Sequence, residues 1–332
     1  MPYAAGLIGP GSEVLGFDTE RSQDHHWGLR GQLFLREADH GQHQAIYDCL
    51  AAGLPHDFQG VPTNFSEPVE ANGVRLLAPT TSGPVRHLIE ITSVRDYARA
   101  RLGIDSDLPL AARDWFLLAQ QRLLETTQGE IFHDATGEIG ALRARLAYFP
   151  HAVWLYLMAS QWQKISQEEA FVGRTAETGD ALGSRLVAAR LVRETMRLAF
   201  LMARRYWPYS KWFGTAFAAL PCAAALTPHF EAALTAADYQ AREAAMARAY
   251  EHLAGLHNAL RITPPLETQA RLYRGRPFLV IRADRFAAAI RETIDDPALR
   301  ALTLIGSADQ FVDSTDVTES PQRMTSLDAI YR

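Results

Sequence analysis

The sequence is poor in cysteine, in net charge and in long apolar runs, and each shortage excludes something. Cys49 and Cys222 are the only cysteines among 332 residues. Far apart and without metal-ligand spacing, they exclude a disulfide framework, fit a reducing compartment and are expected as small buried hydrophobes. A formal net charge of -5, from 33 Lys and Arg against 38 Asp and Glu, argues against general DNA or RNA binding, which needs many clustered cations. No stretch approaches the roughly 18 apolar residues of a membrane span. The opening Met1-Pro2-Tyr3-Ala4-Ala5-Gly6-Leu7-Ile8 lacks the basic lead and the length of a signal peptide. A cytoplasmic protein with no membrane partner is expected. Repeats and low-complexity tracts are missing as well.

What is present is enough apolar material for two cores. With 48% hydrophobic and 21% charged residues over 332 positions, the chain exceeds what one core usually organises, so two domains are expected. Residues 3–8 and 29–35 read as strands, 42–52 as a helix stopped by Gly53 and Pro55, and 85–91 as another strand. Between them, residues 55–84 are rich in Pro, Gly, Asn, Ser and Thr, with an interposed strand over 74–77. A helix over 94–102, stopped by Gly103, leads to a boundary near Ser106. Beyond it the sequence turns Ala- and Arg-rich. Helices are expected over 115–126, 139–146, 150–164, 183–206, 238–260 and 284–293, a strand over 278–281, and an irregular tail after Asp313. The expectation is an α+β fold: a small mixed-sheet domain over 1–106 and a mainly helical domain over 107–332.

The pattern richest in chemistry is Gly11-Ser12, then eleven residues, then Asp24-His25-His26-Trp27, then Leu88-Ile89-Glu90-Ile91 about sixty positions on. Glycine lets a backbone approach a triphosphate, and the serine hydroxyl and neighbouring N–H groups bind phosphate oxygens. Acidic residues spaced one apart on a strand share a face, and a third from a neighbouring strand completes a site for Mg²⁺. His26 stands where the second carboxylate would be, and imidazole suits Mn²⁺ or Zn²⁺ better than Mg²⁺. Gly-Pro-Gly-Ser is also an ordinary tight turn, Asp24 an ordinary cap, and Asp18 and Glu20 solvated loop acids.

The run from Gly11 to Glu20, Ser22 and Asp24 to Gly28 resembles the bacterial family called domain of unknown function 4037, grouped with the polymerase-β-like nucleotidyltransferases. Gln161-Trp162, Gln167-Glu168-Glu169, Phe171, Gly173-Arg174 and Gly179-Asp180 carry the resemblance onward. Tyr206, Pro208 to Phe213, Ala308 to Phe311 and Asp313 to Thr315 extend it over nearly the whole chain. The resemblance implies a nucleotidyltransferase palm followed by a helical domain, with either Asp or His at the position of His26. Such palms open with a helix before the first strand, so this chain begins short of that expectation. The activity implied moves an NMP from an NTP to a hydroxyl of a small-molecule, protein or RNA acceptor, with Mg²⁺ or Mn²⁺ as cofactor. An inactive nucleotide-binding or regulatory protein on the same fold is the alternative.

The candidate residues follow. Gly11 and Ser12 are assigned to the phosphates, and Asp24, His26 and Glu90 to the metal; Glu90 on an apolar strand needs a partner or a metal if buried. In the helical domain Glu169 is the candidate general base, while Arg174 and Lys211 are candidate phosphate contacts. Asp180 is placed to orient Arg174. Lys211, among Tyr206, Tyr209 and Trp212, equally reads as a lysine snorkelling from an aromatic cluster. Arg190, Arg193, Arg197 and Arg204 share a helix face, expected to be solvated, with a polyphosphate or RNA surface as the alternative.

Overall fold

The structure, a computed structural model, describes residues 1–22, 27–69 and 73–332. Along the chain the elements run β1 (Tyr3–Leu7), α1 (Ser12–Leu15), β2 (Arg30–Leu35), α2 (His43–Gly53), β3 (Asp57–Phe58), β4 (Val61–Pro62), β5 (Leu88–Ser93) and α3 (Val94–Leu102). Then come α4 (Ala112–Phe116), α5 (Gln120–Thr127), β6 (Glu130–Asp134), α6 (Glu138–Arg145), α7 (His151–Glu168), α8 (Phe171–Glu177), α9 (Ala181–Met202) and α10 (Ser210–Ala218). The chain closes with α11 (Ala223–Thr235), α12 (Tyr239–Ala259), β7 (Arg271–Tyr273), β8 (Arg276–Val280), α13 (Asp284–Glu292), α14 (Pro297–Ala301), α15 (Ala308–Phe311), α16 (Thr315–Thr318) and α17 (Pro321–Ser326). The fold is α+β, as expected. It divides into one unit of residues 1–109 and 122–147 and a second of 110–121 and 148–332.

The first unit is built on a four-stranded mixed sheet in the order β5-β2-β1-β6. β1 runs antiparallel to β2 and β6, while β2 and β5 are parallel. Gly6 allows the β1–β6 pairing at a bulge, because a Cβ there would stand 2.7 Å from the carbonyl oxygen of Glu130. α3 follows β5 without a loop: the Ser93 side chain accepts from Asp96 N–H at 3.0 Å, and Gly103 closes the helix at φ 71°. Tyr97 of α3 then packs edge-on against Phe34 of β2 at 5.6 Å.

The second unit is helical, with α7 buried along most of its length. Trp162 stacks on Phe286 of α13 at 4.4 Å, and Trp154 donates its indole N–H to the Leu201 carbonyl at 2.7 Å. Fully burying side chains of this size stabilises by about 1.5–3 kcal/mol each. Asp180 caps α9 through Gly183 N–H at 2.7 Å, and Asp238 caps α12 through Ala241 N–H at 2.8 Å.

Several expectations are corrected. Residues 130–134, read as part of the helical domain, form the fourth strand of the first sheet. The strand expected over 74–77 is a single bridge, Phe65 to Leu77, and the regular pairing in that region is β3 with β4. The helix expected over 115–126 is two, broken between Phe116 and Gln120. The tail after Asp313 is ordered into short helices, with Tyr331 buried. Cys49 is exposed and Cys222 intermediate, so neither is the fully buried hydrophobe expected. Among the described residues no helix is long and apolar enough to cross a membrane.

Candidate functional site

In the first unit the antiparallel β1–β2 pairing and the parallel β2–β5 pairing bring three strand ends together: the C-terminus of β1 and the N-termini of β2 and β5. The Gly-Ser turn leaves β1 at that end. Gly11 has φ 151°, and a Cβ on it would clash with the guanidinium of Arg30 and stand 2.6 Å from a Glu13 carboxylate oxygen. Arg30, the first residue of β2, straps the turn. It donates from Nη2 to the Pro10 carbonyl at 2.6 Å and from Nε to Glu13 Oε1 at 2.8 Å. Ser12 opens α1 above this strap.

Two residues into β2, the buried Gln32 accepts the Ile8 N–H on its Oε1 at 2.9 Å, which fixes where β1 ends and the turn begins. The parallel register sets Glu90 beside Gln32, and neighbours in register share a sheet face. Glu90 therefore stands on the face that carries the strap on the turn. Its side chain is 44% exposed, with Arg101 Nη2 at 3.8 Å. Exposure removes the need for a buried partner, and an ion pair at that distance in water contributes little. Tyr97, whose hydroxyl lies 3.8 Å from where a Gly9 Cβ would be, is pushed up to about 12 by burial, so it stays a neutral hydroxyl at physiological pH. Asp24 and His26, the other expected metal ligands, lie outside the described residues, and among the described residues no three His, Cys, Asp or Glu side chains form a metal-binding group.

In the second unit the expected residues are dispersed. Glu169 is buried and accepts three backbone N–H groups, from Ile281 at 2.7 Å, Arg282 at 3.1 Å and Ala283 at 3.1 Å, where β8 passes into α13. Burial pushes its carboxyl up to about 7 against the opposing pull of those three donors. The structure thus gives Glu169 the task of joining α7 to the start of α13. Glu168 pairs with Arg190 at 3.2 Å. Arg174 is exposed, with its guanidinium 5.3 Å from the Phe171 ring, and the Asp180 side chain, expected to orient it, caps α9 instead. Lys211 is exposed on α10 with its ammonium 5.3 Å from the Trp212 ring.

The arginine row of α9 departs most from the solvated face expected. Arg197 is 7% exposed and donates to the Gln310 carbonyl at 2.9 Å, and it lies with Lys164 and Arg193 around the buried Glu194 at 3.2–3.4 Å. Those three cations hold the Glu194 carboxylate below its ordinary range although burial alone would raise it. Arg193 continues to Asp313 at 3.0 Å, whereas Arg204, expected on the same helix face, lies beyond the end of α9 at Met202 and covers the Trp154 ring at 3.9 Å. Sequence spacing missed this network because an Arg and a Glu three apart look alike on a wet surface and in a core. The one signal was Gln161, a polar residue within an apolar helix, whose Nε2 donates to Glu194 Oε2 at 2.8 Å.

An α+β protein with a strapped Gly-Ser turn and an adjacent exposed carboxylate is the class defined so far. Residues 115–213 match the family described as Domain of unknown function (DUF4037), the family the motifs resembled. The matched segment holds Glu169, Arg174 and Lys211, and lies downstream of the Gly-Ser turn and Glu90. A solved structure of a nucleotidyltransferase-like protein from Exiguobacterium sibiricum is 12% identical, with a TM-score of 0.37 over 99% of this chain and 81% of that one. At that score the likeness carries no argument about function. No curated protein matches the sequence.

Proposed function

We propose that the protein transfers an NMP from an NTP to an acceptor hydroxyl. The acceptor oxygen attacks the α-phosphorus, the bond to the bridging oxygen of the β-phosphate breaks, pyrophosphate leaves, and the hydroxyl proton passes to solvent. The observation that supports this reading is the convergence at one sheet end of the strapped Gly11-Ser12 turn and of Glu90 on the same face. Gly11 and Ser12 would hold phosphate oxygens. Asp24, Glu90 and His26 would hold a divalent ion, which when bound offsets phosphate charge, and the imidazole favours Mn²⁺ over Mg²⁺. Glu90 fits that task because its carboxylate is 44% exposed, with only a 3.8 Å approach from Arg101 Nη2 among its ion pairs in the described residues. Arg174 and Lys211, the cations assigned to phosphates from the sequence, are both exposed on the helical unit. Glu169 is left out as base, since its two oxygens are engaged by the backbone.

The test is pyrophosphate release from each NTP with Mn²⁺ or Mg²⁺, with cell extract supplying acceptors. Release by the wild type and its loss in Asp24→Asn are expected, because the amide keeps shape and loses charge. Nucleotide binding without release for any NTP or extract would favour the regulatory alternative, and equal release by Asp24→Asn would remove Asp24 from the site.

A further inference from the structure

The helical unit contains a cavity of about 400 Å³ whose wall is made by the segments 207–214, 309–318 and the inner face of α9. Its volume falls within the roughly 300–1,000 Å³ of small-molecule sites. Three features of the lining define what would fit. The apolar part of the lining is the half-buried Phe213, backed by Trp207 and Pro208, which are buried, with the Arg197 guanidinium 5.6 Å from the Trp207 ring. Facing groups are charged in equal number: Arg193 and Arg197 against Asp309 and Asp313, while Lys164 and Glu194 behind the wall add one charge of each sign. Ser210, Thr315 and Thr318 add side-chain hydroxyls.

The charged wall is held in place before any ligand arrives. Gln310 donates to Gln161 Oε1 at 2.8 Å and to the Leu157 carbonyl at 3.1 Å, and Gln161 donates in turn to Glu194. Asp309, buried at 8% exposure, accepts the Gln120 backbone N–H at 3.2 Å, and the Trp207 backbone N–H donates to Gln120 Oε1 at 3.3 Å. Asp313 bridges Arg193 at 3.0 Å and Arg197 at 3.5 Å. Polar groups so fixed cost little further ordering when they bind.

We propose that this cavity binds a small, uncharged, polyhydroxylated ring, a sugar or cyclitol. Vicinal hydroxyls both donate and accept, which matches a lining that mixes guanidinium and carboxylate groups; a phosphate would meet Asp309 and Asp313 as well as the arginines, and an ammonium would meet Arg193 and Arg197 as well as the carboxylates. The C–H face of such a ring covers Phe213, Ser210 supplies a further hydrogen bond, and Thr318, whose hydroxyl donates to the Ser314 carbonyl at 3.3 Å, accepts one from the ring. Binding of this kind needs neither nucleotide nor metal, so it stands apart from the transfer reaction proposed above.

The experiment titrates the full chain, without nucleotide or divalent metal, with myo-inositol and methyl glucoside, and in parallel with inositol monophosphate, glucosamine and benzoate. Saturation-transfer NMR and calorimetry read the binding. At least one neutral polyol is expected to bind more tightly than every charged probe, and Phe213→Ala to weaken it about tenfold. Thr318→Val, which keeps shape and removes one hydroxyl, is expected to weaken it about three- to tenfold and carries the test if Phe213→Ala does not fold. Preference for a charged probe, no binding of either polyol, or unchanged affinity in a folded variant overturns the proposal. The transfer reaction, read from NTP and pyrophosphate, would be untouched by that failure.

Discussion

The Gly-Ser end of the sheet unit and the Glu194 cluster of the helical unit treat charge in opposite ways. Around the Gly-Ser turn the carboxylates sit at the surface, Glu13 40% and Glu90 44% exposed, while the strapping Arg30 is 15% exposed. In the helical unit the corresponding groups are inside, with Glu194 at 2% and Arg197 at 8% side-chain exposure. Surface charges cost little to carry and remain available to a ligand. Buried charges are costly to leave unpaired, so they fix side-chain positions. The comparison teaches that the carboxylates near the Gly-Ser turn stay open to solvent, whereas Glu194 is committed to fixing the cations around it, with Asp313 at the open edge of that cluster.

Three substitutions sharpen the comparison. Glu194→Ala leaves Lys164, Arg193 and Arg197 without their shared buried partner, and a loss of about 3–5 kcal/mol in urea denaturation is expected; under about 1 kcal/mol would show that the network is wet. Glu169→Gln comes next and acts through pH. The folded carboxyl keeps its proton up to about 7, whereas the unfolded one loses it near 4.5. The stabilisation from that difference is complete below about 4.5 and is lost as pH rises through about 7, spanning about 3 kcal/mol at most. The glutamine variant does not titrate, so its stability should fall less than the wild type's over that window; parallel curves would mean that Glu169 is ionised in the fold throughout. Glu13→Ala should cost the least, under about 1 kcal/mol, since its pair with Arg30 is partly exposed. A larger cost would show that the strap holds the whole sheet end.

Much of the fold was legible because its elements obey periodicity and carry their own stop signals. α3 emerged with the bounds 94–102 since Ser93 and Gly103 mark its ends. β6 was illegible: Phe132 and His133 are exposed, and pairing with β1 supplies what the sequence of that strand does not. The break between α4 and α5 is likewise imposed from outside, where Asp309 takes the Gln120 N–H. At the candidate site Gly11, Ser12 and Glu90 could be read because glycine in a turn and a charge in an apolar strand are local anomalies. Arg30 and Gln32 could not, because their meaning lies in contacts to residues about twenty positions away. Glu169 was singled out as an acid in a family motif, but its partners are more than a hundred residues distant.

The most direct test of the central claim is calorimetric titration of NTP into wild type and Glu90→Gln, each with and without Mn²⁺. Glu90 is exposed and its Arg101 contact is 3.8 Å long, so the variant should keep its thermal stability within about 0.5 kcal/mol. The account predicts that Mn²⁺ tightens NTP binding to the wild type and that this enhancement falls at least about tenfold in the variant. Equal enhancement in both proteins would contradict it.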